Sequence, residues 1–375
     1  MGTLSGYTVL ELAHYAGGAA TGMLLADQGA NVIKIEPPSG DLYRETEFFS
    51  VWNRGKNTIA INFSLPEELR YVTELAEKAD IIIENLDYGE AEKFKLSYKE
   101  LSIKNKSVIY LSLSSFPKGH VHESLSSLEG IVAAASGVYG LNPSGELPIQ
   151  GEGPSFHNVH YASGFAALTS VPAIAAALFE RDNNGRGQQI SLSIHDAMYQ
   201  GMGTQLVRHS NRNHGRQEKH PIINRFYQCK DKKWINVNIG GFPKFLELFL
   251  MAINKPEWFI PINDLAHIKD NESQAHQLKL EFTLIWLTRT AIEWENVMAE
   301  IGVPGTMCRT ISEWINEEQA ISSGAVTSIL DYKYGLMKQP GIVVKTKTNP
   351  GSIKNSASPF HTFDSDSETG FSDND

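Results

Sequence analysis

A chain of 375 residues with 41% hydrophobic and 20% charged residues can bury one large core or two moderate ones, which excludes disorder throughout. The formal net charge of -10 excludes a broad phosphate-binding surface, so no nucleic-acid partner is expected and an anionic ligand has to meet local cations. Cys229 and Cys308 stand far apart without His or Cys neighbours at metal-ligand spacing, so neither a disulfide framework nor a metal site is expected. The opening MGTLSGYTVLEL has no basic stretch before an apolar run, and no run of about 18 apolar residues occurs. A cytoplasmic chain with no membrane span is the expectation.

In chain order, a strand over Tyr7–Leu12, a Gly-rich turn, a helix around Ala20–Gln28 and a strand over Asn31–Ile35 read as a βαβ unit. A second follows: Thr58–Asn62, a helix opened by the capping-box pair Ser64 and Glu67, and Ile81–Ile83. Val108–Ser112 adds a strand, and this alternation predicts a mostly parallel sheet covered by helices. Tyr161–Phe179 is apolar nearly all round and predicts a buried helix broken or kinked at Pro172. Gly185–Gln188 turns the chain into the strand Gln189–Ser193.

The basic, polar stretch from Val207 to Pro221 reads as a crossover linker. Beyond it lies a smaller domain, with a helix predicted from the capping-box pair Thr290 and Glu293 to Gly302. The resulting division is a large α/β domain over 1–205 completed by 315–355, a linker over 206–225, a small α+β domain over 226–314, and an acidic tail over 356–375 expected to be disordered.

Gly17, Gly18 and Gly22 after the first strand, with Glu36 closing the next, suggest a dinucleotide-binding unit, but the spacing is not G-x-G-x-x-G. A more specific set is Leu24-Leu-Ala-Asp-Gln-Gly-Ala-Asn-Val-Ile-Lys-Ile-Glu-Pro-Pro38, Gly40-Asp41 with Arg44, Asn53-Arg-Gly-Lys56, Ala79-Asp-Ile-Ile-Ile-Glu-Asn85, Gly185-Arg-Gly-Gln188 and Ile301-Gly-Val-Pro304. In order and spacing these segments resemble the class III CoA-transferase family, which also holds formyl-CoA transferases and α-methylacyl-CoA racemases.

That resemblance implies a Rossmann-like large domain, a small domain and a homodimer of interlocked chains. It also implies a coenzyme A thioester as substrate, no metal, and transfer of CoA between small carboxylic acids. It places Tyr15, Ala16 and Gly17 at the thioester region, Asn85 and Leu86 at the adenosine and pantetheine part, and Arg44, Lys56 and Lys93 near the phosphates.

The family's catalytic aspartate does not appear. His160 occupies the aligned position in Pro154-Ser-Phe-His-Asn-Val-His-Tyr-Ala-Ser-Gly164, an alternative alignment puts Ser163 there, and neither is a carboxylate. Ser127 stands where the racemase branch has a histidine, and Ser126 and Leu128 replace a lysine and a tyrosine of certain transferases. His160 and Glu129 are therefore the candidate catalytic groups, with His157 on the same face if the helix has begun. Two alternatives stay open: a non-catalytic subunit paired with an Asp-bearing paralogue, or altered chemistry such as acyl transfer, cyclisation or isomerisation, including on a substrate bound to an acyl carrier.

Overall fold

Strand β1, Thr8–Ala13, is buried at all but its first position and apolar there except for Glu11, because helices cover both faces of its sheet. It leads into helix α1, Ala16–Asp27, strand β2, Asn31–Glu36, the short helix α2, Glu47–Trp52, and strand β3, Lys56–Ala60. Helix α3, Pro66–Lys78, returns the chain to β4, Ile81–Asn85. Helices α4, Glu90–Lys93, and α5, Tyr98–Lys104, precede β5, Ile109–Ser114. Helices α6, Glu129–Ala135, and α7, Tyr161–Asn184, come before β6, Gln188–Ser193, and α8, Ile194–Met202. The computed structural model describes residues 2–140, 158–203, 222–223, 225–240, 242–264 and 272–364.

The six strands are parallel in the order β3-β2-β1-β4-β5-β6. Strand order reverses between β1 and β4, so a crevice opens beyond the carboxyl ends of those strands. One core layer joins Val9, Val32, Ile83, Ile109 and Leu111 to residues of α1, α6, α7 and α8; the opposite layer joins Leu10, Ile35, Ile59 and Tyr110 to residues of α3, α4 and α5.

Helix α1 begins four residues earlier than the sequence predicts, since its glycines serve close packing where a breaker was read. A Cβ on Gly17 would lie 3.1 Å from the Leu113 side chain, and one on Gly18 would lie 2.5 Å from the Ala13 Cβ. Helix α3 begins at Pro66 with no side-chain cap, so the predicted Ser64–Glu67 box is absent and the proline's fixed φ starts the helix instead. Helix α7 runs unbroken through Pro172. Long and apolar enough by length and composition to cross a membrane, α7 packs against α1, and 44% of its apolar window is buried.

An ionic cluster is sealed beneath the first three strands. Lys34 Nζ lies 2.9 Å from both Glu11 Oε1 and Asp41 Oδ2, and Lys56 Nζ lies 2.7 Å from Glu11 Oε2. Lys34, Lys56 and Glu11 have no exposed surface. Burial pushes the Lys56 ammonium down to about 8, with Glu11 opposing. Burial also acts to lower Lys34, but Asp41 and Glu11 outweigh it and hold that ammonium above its ordinary value. Gly22 makes room for the carboxylate, because a Cβ there would lie 1.9 Å from Glu11 Oε2.

The chain divides into two compact units, Met1–Val207 with Glu318–Asp375, and Arg208–Glu317. In the first, strands Val326–Asp331 and Gly335–Pro340 form a hairpin, and the chain then runs beside β3. Residues 356–364, read from sequence as disordered tail, are paired: Ala60 N donates to His361 O at 2.8 Å, and Arg44 Nη1 donates to Ser358 O at 3.3 Å. The rest of that tail, and most of the segment read as a linker, lie outside the described residues. The second unit holds three antiparallel strands, Arg225–Gln228, Trp234–Val237 and Gly305–Met307, and a core containing Phe249, Phe282, Trp286 and Trp294. Its predicted Thr290–Glu293 capping box is present at Ala291–Glu300.

Replacing Glu11 by Gln leaves two buried ammonium groups with only Asp41 between them, and is expected to cost about 3–5 kcal/mol of unfolding free energy. Gly22→Ala displaces the same carboxylate and should lose stability by the same route, both read as a lower urea midpoint.

Candidate active site

The crevice at the strand-order reversal is shaped by the residues that end β1 and β4. Tyr15, the residue before α1, donates its hydroxyl to Asp87 Oδ1, and burial with that acceptor holds the phenol above its ordinary pKa. Ala16 and Gly17 are buried in the first turn of α1. Asn85 has no exposed surface and acts as a tie: its Oδ1 accepts from Gly18 N at 3.4 Å, and its Nδ2 donates to Leu113 O at 2.6 Å and Ser127 Oγ at 3.3 Å. Leu86 beside it is 7% exposed and lines a cleft of about 720 Å³ that also takes in Ser112, Ser114, Ser126 and Ser193.

Two residues beyond Ser127, Glu129 performs the second tie. Its carboxylate accepts from Ala162 N and Ser163 N, each at 2.9 Å, across more than thirty residues of sequence. This satisfies two of the unpaired donors at the start of α7 and places negative charge where the helix dipole favours it. Both Glu129 oxygens are thereby engaged, so the carboxylate that sequence reading offered as an acid or base acts as the helix cap. Ser163 is 1% exposed, and its Oγ finds no hydrogen-bond partner among the described residues.

His160 is the residue immediately before α7. Its half-buried imidazole stands edge-on to Trp52 at 4.9 Å between ring centroids, to Phe48 at 5.0 Å and to Tyr43 at 6.4 Å. Burial lowers its pKa from the ordinary histidine value, with Glu129 opposing, so the ring is neutral at pH 7. The sequence reading missed the three aromatic residues. Phe48 and Trp52 stand one helical turn apart in α2, a spacing visible in the sequence, yet nothing in it says which distant residue they meet.

The cations divide. Lys93 is exposed on α4, with its ammonium 4.7 Å from the Phe94 ring. Arg44 and Lys56, expected near a ligand's phosphates, are placed inside the domain. Lys56 belongs to the Glu11 cluster and also donates to Ala19 O at 2.8 Å and Asn53 Oδ1 at 3.0 Å. Arg44 is 8% exposed, is held bidentately by Glu36, and also donates to Thr58 Oγ1 at 3.1 Å. Both depart from the ligand-facing role because buried carboxylates already hold their charges.

Potential metal donors come together at His14, Asp87 and Glu90, whose ligand atoms lie within 4.8 Å of one another. Asp87 already accepts from Tyr15, and Glu90 accepts from the Asp87 N–H at 3.3 Å. His157 lies outside the described residues.

A family model described as CoA-transferase family III matches residues 4–365. Over 389 residues the chain is 27% identical to the CoA-transferase/lyase DddD of Marinomonas sp., a match covering 91% of this chain but only 46% of that longer protein. It is also 27% identical over 362 residues to the succinyl-CoA–D-citramalate CoA-transferase of Chloroflexus aurantiacus, covering 92% of this chain and 88% of the relative. The crystal structure of a CAIB/BAIF family protein from Brucella suis shares the fold with a TM-score of 0.81 at 23% identity, covering 96% of both chains. Enzymes named as CoA-transferases take acyl-CoA thioesters as substrate. With a family match running from residue 4 to residue 365, this chain belongs to CoA-transferase family III.

Proposed function

We propose that this protein transfers coenzyme A from an acyl-CoA to a second carboxylic acid, with the His160 imidazole carrying the acyl group that an aspartate carries elsewhere in the family. The observation that carries the reading is a half-buried imidazole at the start of α7, directly before the backbone that Glu129 caps. A neutral ring nitrogen is a competent nucleophile, and covalent catalysis divides one acyl exchange into easier steps.

In the first step the unprotonated ring nitrogen attacks the donor carbonyl and the C–S bond breaks. The second ring nitrogen gives its proton to the departing sulfur, leaving acyl-imidazole and the free thiol. The acceptor carboxylate then attacks the acyl carbon and the C–N bond breaks. Imidazole reforms with the proton returned from the thiol, and a mixed anhydride of the two acids remains. The thiolate attacks the acceptor's carbonyl and releases the donor acid.

CoA is assigned to the crevice beyond β1 and β4, with Tyr15, Ala16, Gly17, Asn85 and Leu86 shaping its wall and Lys93 offering an exposed cation to a phosphate. The named substrates of the Chloroflexus relative, succinyl-CoA and citramalate, support carboxylic acids as the substrate class. We further infer a homodimer and a cytoplasmic location, the latter supported by the α/β family and by the packing of α7 on α1.

Acid-quenched protein incubated with acyl-CoA and no acceptor is expected to carry the acyl mass on the peptide containing His160, with one equivalent of CoA released. His160→Ala should lose turnover by roughly a hundredfold or more while binding CoA as before; unchanged turnover would remove His160 from the mechanism. An NMR titration of the His160 ring should give a midpoint below 6.5. Because the unfolded chain takes up that proton first, the stability His160 contributes is present above pH 6.5 and lost as pH falls through its folded value. Light scattering of the purified chain should give twice the mass of 41.5 kDa; a stable, active species at the single mass would overturn the dimer.

A further inference from the structure

We infer that Tyr43, Phe48 and Trp52 form the acyl-recognition wall of this site and select an uncharged, apolar acyl group over a dicarboxylic one. The inference rests on the CoA-transfer reading of the same site and adds the class of acid it takes. The rings pack on one another, with Phe48 stacked on Trp52 at 5.1 Å and Tyr43 edge-on to Trp52 at 5.3 Å, and all three meet the His160 ring. They present apolar surface: Phe48 is 42% exposed and Leu42 60%. Leu128 and Val159, which immediately precede Glu129 and His160, are exposed by 37% and 58%. Exposed apolar surface on rings that touch a reactive group marks a place that another apolar group covers.

The charges point the same way. Among the described residues, the charged group acting on the His160 ring is the Glu129 carboxylate, which sits at the start of α7 beside it. Three basic side chains of this unit are already committed: Arg44 to Glu36, Lys34 to Glu11 and Asp41, and Lys56 to Glu11. A distal carboxylate on the acyl group would lose water and meet the Glu129 carboxylate, whereas an alkyl or phenyl group would bury against the rings.

Calorimetric titration of the purified chain with CoA, hexanoyl-CoA and succinyl-CoA tests this without requiring turnover. Hexanoyl-CoA is expected to bind about tenfold more tightly than CoA, and succinyl-CoA no more tightly than CoA. Phe48→Ala, at a partly exposed position, should erase most of the hexanoyl advantage and leave the affinity for CoA itself unchanged. If CoA binds but succinyl-CoA binds as well as or better than hexanoyl-CoA in the wild-type chain, the wall does not select apolar groups and this inference fails alone. If none of the three binds, the CoA-transfer reading fails with it.

Discussion

The carboxylate of Glu129 closes the N-terminus of a 24-residue helix that begins more than thirty residues further along the chain. That bond set determines where α7 starts and therefore where His160, the residue before it, presents its ring. A helix start leaves several backbone donors without partners, and a buried helix cannot leave them to water. Once Glu129 fills two of them, the imidazole is directed away from the backbone and toward the aromatic segment around α2. The same arrangement gives both Glu129 oxygens a structural task.

The Glu11 cluster is the second constraint on the domain. Two lysines on neighbouring strands and one glutamate on the central strand cannot be buried unless all three are present, and Gly22 must lack a side chain for the carboxylate to fit. Arg44 with Glu36 and Arg54 with Asp27 then bind the returning C-terminal segment: Arg44 donates to Ser358 O and Arg54 donates to Pro340 O. Arg44 and Arg54 thus join segments more than 280 residues apart.

The site that results differs in character from a phosphate cradle. It is aromatic, has the Glu129 carboxylate at its edge and is built around a half-buried imidazole whose pKa burial lowers. Those properties favour a nucleophile that needs no deprotonation and an acyl group that brings no charge. Asn85, by linking the first turn of α1 to the loop before Glu129, joins the proposed coenzyme crevice to this acyl region through a single buried amide.

Alternating apolar strands and helices and the motif order from Leu24 to Pro304 were legible in the sequence, because strand periodicity and turn residues are local properties. The early start of α1 and the unbroken run of α7 were not, since packing on the sheet overrides the local cost of glycine and proline. The fates of Arg44 and Lys56 were equally hidden: a basic residue in a matching motif reads the same whether its partner is a ligand or a buried glutamate on another strand. The sequence by itself determined the family's sheet and singled out His160. Only tertiary structure decided what surrounds that ring, because Tyr43, Phe48, Trp52 and Glu129 reach it through contacts whose partners lie far apart in the chain.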